Sequence, residues 1–149
     1  MTQRILLVEP NTAVRDRFAA ILVGISAEVQ ACADFLSARR AVEATPFDLL
    51  VTQVRLGAYN GVHLVHLARP HGMRCLVYAA VTDPVLAREV QSVGAFYEKM
   101  DYLPLVLVNY VMHALPPRDR RDPERADRRG LRRGGRRVAD VVGMPARSV

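Results

Sequence analysis

Long apolar runs and closely spaced cysteine pairs are both missing from this sequence of 149 residues. No stretch reaches the ~18 apolar residues of a membrane-spanning helix, and the apolar run that follows residues 1–4 is too short for a signal peptide. Cys32 and Cys75 lie in apolar stretches outside any CxxC pair, which predicts buried free thiols rather than a disulfide or metal site. We therefore expect a cytoplasmic protein without a membrane partner.

Charge is distributed unevenly along the chain. Residues 1–115 contain ten basic and ten acidic side chains, whereas residues 116–149 contain eleven arginines and five acidic side chains. The net charge of +6 therefore belongs to the second segment. This segment is rich in glycine and proline and lacks aromatic residues, a composition that predicts disorder. We expect one domain over residues 1–115, followed by a flexible Arg-rich tail over residues 116–149.

Short apolar runs alternate with helical patterns along the first 115 residues. The runs predict five strands, over residues 5–8, 28–32, 48–53, 75–79 and 95–99. Capping residues and apolar spacing predict helices over residues 12–23, 35–44, 62–68, 84–93 and 102–115, with Asn11, Asp34 and Asp101 among their caps.

Strands and helices in this order indicate an α/β fold with a doubly wound, parallel five-stranded sheet. Sites in such sheets lie at the carboxyl ends of the strands. The candidate site residues are therefore those at the predicted strand ends, namely Glu9, Pro10, Gln53, Ala79 and Lys99.

The same strand ends resemble the receiver domains of bacterial response regulators, the CheY-like family. The similar segments are the first strand ending in Glu9, residues 47–53, the loop 54–61 and the Gly94-Ala95 pair followed by Lys99. They occur in the family's order over residues 3–115. The resemblance implies a flavodoxin-like (βα)5 fold with strand order 2-1-3-4-5, and a role in two-component or phosphorelay signalling.

The resemblance also implies a phosphoryl-transfer chemistry that this sequence has lost. The family uses an aspartate at the end of the third strand as acceptor, and an acidic pair on the first strand to hold Mg²⁺. Gln53 stands at the acceptor position, and Glu9-Pro10 replaces the acidic pair. Mg²⁺ binds poorly to a single carboxylate, and Ala79 replaces a hydroxyl that would contact the phosphoryl group. We expect a pseudo-receiver that is not an enzyme, has no cofactor or metal and binds Mg²⁺ weakly or not at all.

The sequence allows two alternatives for Lys99 and two for the switch aromatic. Lys99 either forms a fixed ion pair with Glu9, with Gln53 bonded to Lys99, or it is part of a remnant pair without a role. The family's switch aromatic falls on Phe96, with Tyr97 as the alternative.

The last predicted helix carries more apolar side chains than one buried stripe requires. An exposed apolar surface of this kind predicts an interface, and the resemblance implies a histidine kinase, a phosphotransfer protein, another receiver or a second copy as the partner. The alternative is that the tail covers this helix. The predicted interface residues are Leu103, Val106, Leu107, Tyr110 and Val111.

Paired arginines suggest a second function for the tail. Arginine pairs attract phosphates without sequence preference, and salt weakens that attraction. The alternative function is therefore a nucleic-acid-associated regulator in which a receiver-like dimer displays two tails, although a solvated tail without a task fits equally well. The candidate residues for nucleic-acid or acidic-surface binding are Arg128, Arg129, Arg132, Arg133, Arg136 and Arg137.

Overall fold

The computed structural model describes residues 2–113. Its strands are β1 (Arg4–Val8), β2 (Glu28–Cys32), β3 (Leu49–Gln53), β4 (Arg55–Leu56), β5 (Tyr59–Asn60), β6 (Arg74–Ala79) and β7 (Phe96–Lys99). Its α-helices are α1 (Thr12–Gly24), α2 (Phe35–Ala44), α3 (Gly61–Ala68), α4 (Pro84–Ser92) and α5 (Leu103–Met112). The predicted tail and its six candidate arginines lie outside the described residues.

Five of the strands form one parallel sheet in the order β2-β1-β3-β6-β7. When the short strands β4 and β5 are left aside, this is the predicted order 2-1-3-4-5. The central strands are apolar and buried because helices cover both faces, which is the usual condition of a parallel sheet. Helices α1 and α5 contribute to the core on one face, and α2, α3 and α4 contribute to the core on the other.

Two of the predicted caps, Asn11 and Asp34, and also Asp83 before the predicted helix start at Pro84 form capping hydrogen bonds. The side chains of Asn11, Asp34 and Asp83 each accept hydrogen bonds from backbone N–H groups in the first turn of α1, α2 and α4. These bonds satisfy donors that the helix itself leaves free. The predicted Asp101 cap is wrong: a 3-10 turn, Met100–Tyr102, precedes α5, and no side chain caps that helix.

The loop after β3 contains a hairpin that the sequence did not predict. Strands β4 and β5 pair antiparallel around Gly57, whose φ of +67° suits glycine. Gly61 then starts α3 against β3, where a Cβ atom would lie 2.5 Å from the backbone oxygen of Gln53. Only glycine allows this close approach, so the loop is held directly against the end of β3.

The structure corrects the predicted interface on the last helix. Leu103, Leu107, Tyr110 and Val111 are buried in the core that α5 shares with α1, and Val106 is half-buried against the same core. Their spacing of three and four residues gives the inward face of an amphipathic helix. The outward face carries other residues: Leu105 is 76% exposed and Met112 is 64% exposed.

None of the helices in residues 2–113 is long and apolar enough to cross a membrane.

Candidate functional site

The carboxyl ends of four neighbouring strands form the candidate site. Glu9 follows β1, Gln53 ends β3, Ala79 ends β6 and Lys99 ends β7. The parallel register places Gln53 beside Tyr78 and Ala79 beside Lys99. The sheet therefore gathers the predicted residues at one edge, although their side chains do not all meet.

Glu9 is the centre of this arrangement. Its side chain is buried, with the residue only 3% exposed, and both carboxylate oxygens accept hydrogen bonds. Oε1 accepts from the Tyr78 hydroxyl at 2.7 Å and from Gln53 Nε2 at 3.4 Å, and Oε2 accepts from the Asn11 backbone N–H at 2.9 Å. A buried carboxylate needs such partners, and all three donors here are neutral.

Tyr78 is a site residue that the sequence reasoning missed. It is fully buried on β6, and its ring packs edge-on against Phe18 of α1 with the centroids 5.5 Å apart. Burial, followed by the hydrogen bond to Glu9, raises the pKa of the Tyr78 hydroxyl well above its ordinary value. The sequence held one signal: a tyrosine in an otherwise apolar buried strand needs a partner for its hydroxyl.

Gln53 uses both atoms of its amide. Nε2 donates to Glu9 and lies 3.9 Å from the Met100 sulfur, while Oε1 accepts from the Val54 backbone N–H at 3.1 Å. The Gln53 amide is thus a hydrogen-bonded link between the ends of β1 and β3.

The ion pair between Lys99 and Glu9, one of the two alternatives left by the sequence, is not formed within residues 2–113. Lys99 Nζ lies 3.6 Å from Asp101 Oδ2, and within residues 2–113 it forms neither an ion pair with Glu9 nor a hydrogen bond with Gln53. Two causes are visible. The oxygens of Glu9 are already engaged by other donors, and the 3-10 turn after β7 brings Asp101 next to the lysine. A partly exposed pair of this kind contributes little to stability.

The remaining positions supply no nucleophile. Pro10 is exposed, and Ala79 is buried and has no hydroxyl. Thr52 is buried and donates its hydroxyl to the backbone oxygen of Gln53 at 2.9 Å. Asp48 lies before β3, at the opposite end of the strand, where it accepts from the Arg4 backbone N–H.

The two candidate switch aromatics lie on opposite faces of the sheet. Phe96 packs against Tyr110 of α5, with the ring centroids 5.1 Å apart. Tyr97 is buried in the core formed with α2, α3 and α4, which also contains Ala79, and its buried hydroxyl makes no hydrogen bond within residues 2–113. Of the two candidate aromatics, Tyr97 is therefore the one that lies on the same face of the sheet as Ala79.

The donor set at this site does not fit a divalent cation. Mg²⁺ prefers carboxylate oxygens and keeps several waters in an octahedral arrangement. Only Glu9 supplies a carboxylate within the cluster, and both of its oxygens accept hydrogen bonds. Across residues 2–113, no three His, Cys, Asp or Glu side chains are grouped to hold a metal ion.

Comparisons with solved structures agree with the observed topology. A CheY-like receiver domain protein from Methanospirillum hungatei is 24% identical, with a TM-score of 0.70 over 76% of this chain and 94% of that chain. The chemotaxis response regulator CheY4 of Vibrio cholerae is 21% identical, with a TM-score of 0.69 over 77% and 100% of the two chains. The receiver domain of a NarL-type regulator from Mycobacterium tuberculosis is 18% identical, with a TM-score of 0.66 over 76% and 95%.

These similarities identify the fold. No protein-family model and no curated protein sequence matches the chain. The two receiver structures described first nevertheless cover 76% and 77% of this chain at TM-scores of 0.70 and 0.69. The predicted flavodoxin-like fold, with the strand order that CheY-like receiver domains share, is therefore confirmed for the described residues.

Proposed function

We propose that this chain is a pseudo-receiver, a signalling module of a two-component or phosphorelay system that acts through phosphorylation-independent protein–protein contacts. The observation that carries the proposal is the amide of Gln53 at the end of β3, hydrogen-bonded through both of its polar atoms. We place the protein in the cytoplasm as part of this proposal, and two buried, unpaired cysteines agree with a reducing compartment.

The chemistry of the site supports the absence of phosphoryl transfer. An acyl phosphate requires a carboxylate nucleophile, and a neutral amide cannot provide one. The nearest carboxylate, Glu9, is buried and already accepts bonds from Tyr78, Gln53 and Asn11. In this proposal the domain is not an enzyme, it has no cofactor, and it binds Mg²⁺ weakly or not at all.

The outward face of α5 is the surface that we propose for partner binding. Leu105, Asn109 and Met112 are exposed at a spacing of four and three residues, and Tyr102 lies exposed just before the helix. Residues 102–113 contain no charged side chain apart from His113, and an uncharged outward face is unusual for a surface helix. It suits a second copy, another receiver, a histidine kinase or a phosphotransfer protein.

Amide NMR of the full chain, with and without Mg²⁺ and beryllofluoride, tests the proposal. Beryllofluoride is a stable mimic of a phosphoryl group, and Mg²⁺ alone and fluoride alone are the controls. We expect no shifts at Glu9, Gln53 and Lys99. Saturable shifts at these residues that extend to α5 would show that the cleft senses phosphoryl groups, and the proposal would be abandoned.

The alternative function is a nucleic-acid-associated regulator, favoured by the eleven arginines of residues 116–149. Deleting residues 116–149 separates the two functions. Loss of all partner binding, after strong salt dependence in the full chain, supports nucleic-acid or acidic-surface binding through the tail. Binding that persists after the deletion supports the protein–protein function.

A further inference from the structure

We infer that the Tyr78 hydroxyl satisfies Glu9 in this cleft as a bound cation otherwise would. Its hydrogen bond to Glu9 opposes the binding of divalent metal ions even when the missing carboxylates are restored by substitution. The inference deepens the proposed function and rests on it. It names Tyr78, rather than Gln53 alone, as the residue that prevents the site from binding a cation.

The reach of Tyr78 across the sheet is the first argument. Strand β3 lies between β1 and β6, and Tyr78 is the register partner of Gln53 on β3. The Tyr78 hydroxyl nevertheless reaches Glu9, beyond the end of β1, at 2.7 Å. The phenol thus spans the central strand and donates to the same Glu9 oxygen that accepts from Gln53.

The second argument is that Tyr78 cannot move aside easily. Tyr78 has no exposed surface, and its ring is held edge-on by Phe18. Packed interiors have few voids into which such a side chain could turn. Since burial and the bond to Glu9 raise the pKa of Tyr78, the phenol stays a neutral donor at any ordinary pH.

The third argument concerns what a cation would displace. An ion that displaced the Tyr78 hydroxyl from Glu9 Oε1 would leave this buried donor without its acceptor. Unpaired buried donors are costly. Restoring carboxylates at positions 10 and 53 does not remove this cost, because it arises from Tyr78.

The test compares Mg²⁺ affinity in a background that carries Pro10→Asp and Gln53→Asp in the full chain. Tyr78→Phe is added to this background, and Tyr97→Phe is added separately as the matched control because it removes a buried hydroxyl that has no hydrogen-bond partner within residues 2–113. Amide NMR titration gives the Mg²⁺ Kd, and the EPR signal of free Mn²⁺ gives an independent one. We expect Tyr78→Phe to tighten the Kd at least tenfold, a change of about 1.4 kcal/mol, and Tyr97→Phe to change it less than twofold.

Equal affinity with and without Tyr78→Phe overturns the inference, as does an equal gain from Tyr97→Phe. If the double background fails to fold, the same comparison is made with Gln53→Asp alone, and the same outcomes decide. The unmodified chain with beryllofluoride tests the proposed function separately. If the unmodified chain responds to beryllofluoride and Tyr78→Phe has no effect on the Mg²⁺ Kd, both the proposed function and the inference fail. If the unmodified chain does not respond and Tyr78→Phe has no effect, only the inference fails.

Discussion

Arg74 and Gln3, 71 positions apart in the sequence, form hydrogen bonds with each other and with the last turn of α5. Arg74 Nη2 donates to Gln3 Oε1 at 2.7 Å, and Arg74 Nη1 donates to the Tyr110 backbone oxygen at 3.0 Å. Gln3 Nε2 donates to the Val111 backbone oxygen. The last carbonyls of a helix have no partners within the helix, so these two side chains cap α5 from the amino edge of the sheet.

Replacing Arg74 is therefore expected to destabilise the domain. Arg74→Met keeps most of the buried length of the side chain but removes the donor to the Tyr110 carbonyl and to Gln3 Oε1, which costs about 2–3 kcal/mol by analogy with other buried hydrogen bonds to charged groups. Urea unfolding followed by circular dichroism measures the loss. Arg88→Met on the exposed face of α4 is the control and should change stability by less than about 0.5 kcal/mol. Equal effects of the two substitutions would show that the hydrogen bonds at the end of α5 do not contribute to the free energy of unfolding.

Local sequence signals predicted most of the fold because each strand and helix is marked by residues close together in the chain. Apolar runs such as residues 5–8 gave the strands, and Asn11, Asp34 and Asp83 accept bonds from residues two or three positions away. Asp101 does not cap α5 because it lies within the 3-10 turn that precedes the helix, where its carboxylate pairs with Lys99.

The candidate site was predicted less completely for a related reason. Strand ends identified Glu9 and Gln53, but the partner of Glu9 is set by which strands are neighbours and how far a side chain reaches. Tyr78 lies 69 residues from Glu9 and two strands away. No local pattern distinguishes that bond from an ion pair between Glu9 and Lys99, so only the assembled sheet reveals it.

Glu9 gives the second stability prediction. Glu9→Ala removes the acceptor for the Tyr78 hydroxyl and for the Asn11 N–H, and the loss of both bonds, with the buried Tyr78 hydroxyl left unpaired, costs about 2–3 kcal/mol. Chemical denaturation at pH 7 measures the change, with Glu43→Ala on the exposed face of α2 as the control. An unchanged midpoint for Glu9→Ala would mean that water replaces the carboxylate without loss, and that the cluster does not stabilise the domain.

Cys75 predicts how stability falls in alkali. Burial raises the pKa of the Cys75 thiol from an ordinary value of 9.0 to about 12. The folded state therefore keeps the thiol protonated, while the unfolded chain ionises above about pH 9 and gains free energy. The contribution is fully present below pH 9 and is lost as the pH rises towards 12. Between pH 8 and pH 10, the unfolding free energy should fall by about 1 kcal/mol more in the unmodified chain than in Cys75→Val. Parallel losses in the two proteins would contradict the buried state of the thiol.

The outward face of α5 gives the last prediction, which depends on the correction of the interface. Because Leu105 and Met112 are exposed, Leu105→Glu and Met112→Glu should leave the urea midpoint within about 0.5 kcal/mol of the unmodified chain. Each should weaken self-association or partner binding at least tenfold, since a charge would be buried in an apolar contact.

Leu107→Glu is the opposite case, because Leu107 is fully buried against α1, and it should unfold the domain. Sedimentation velocity at several protein concentrations measures association, and circular dichroism measures folding. Association that resists Leu105→Glu and Met112→Glu, in variants that remain folded, would exclude the outward face of α5 as the contact surface. It would leave the rest of the domain surface or residues 114–149 to provide it.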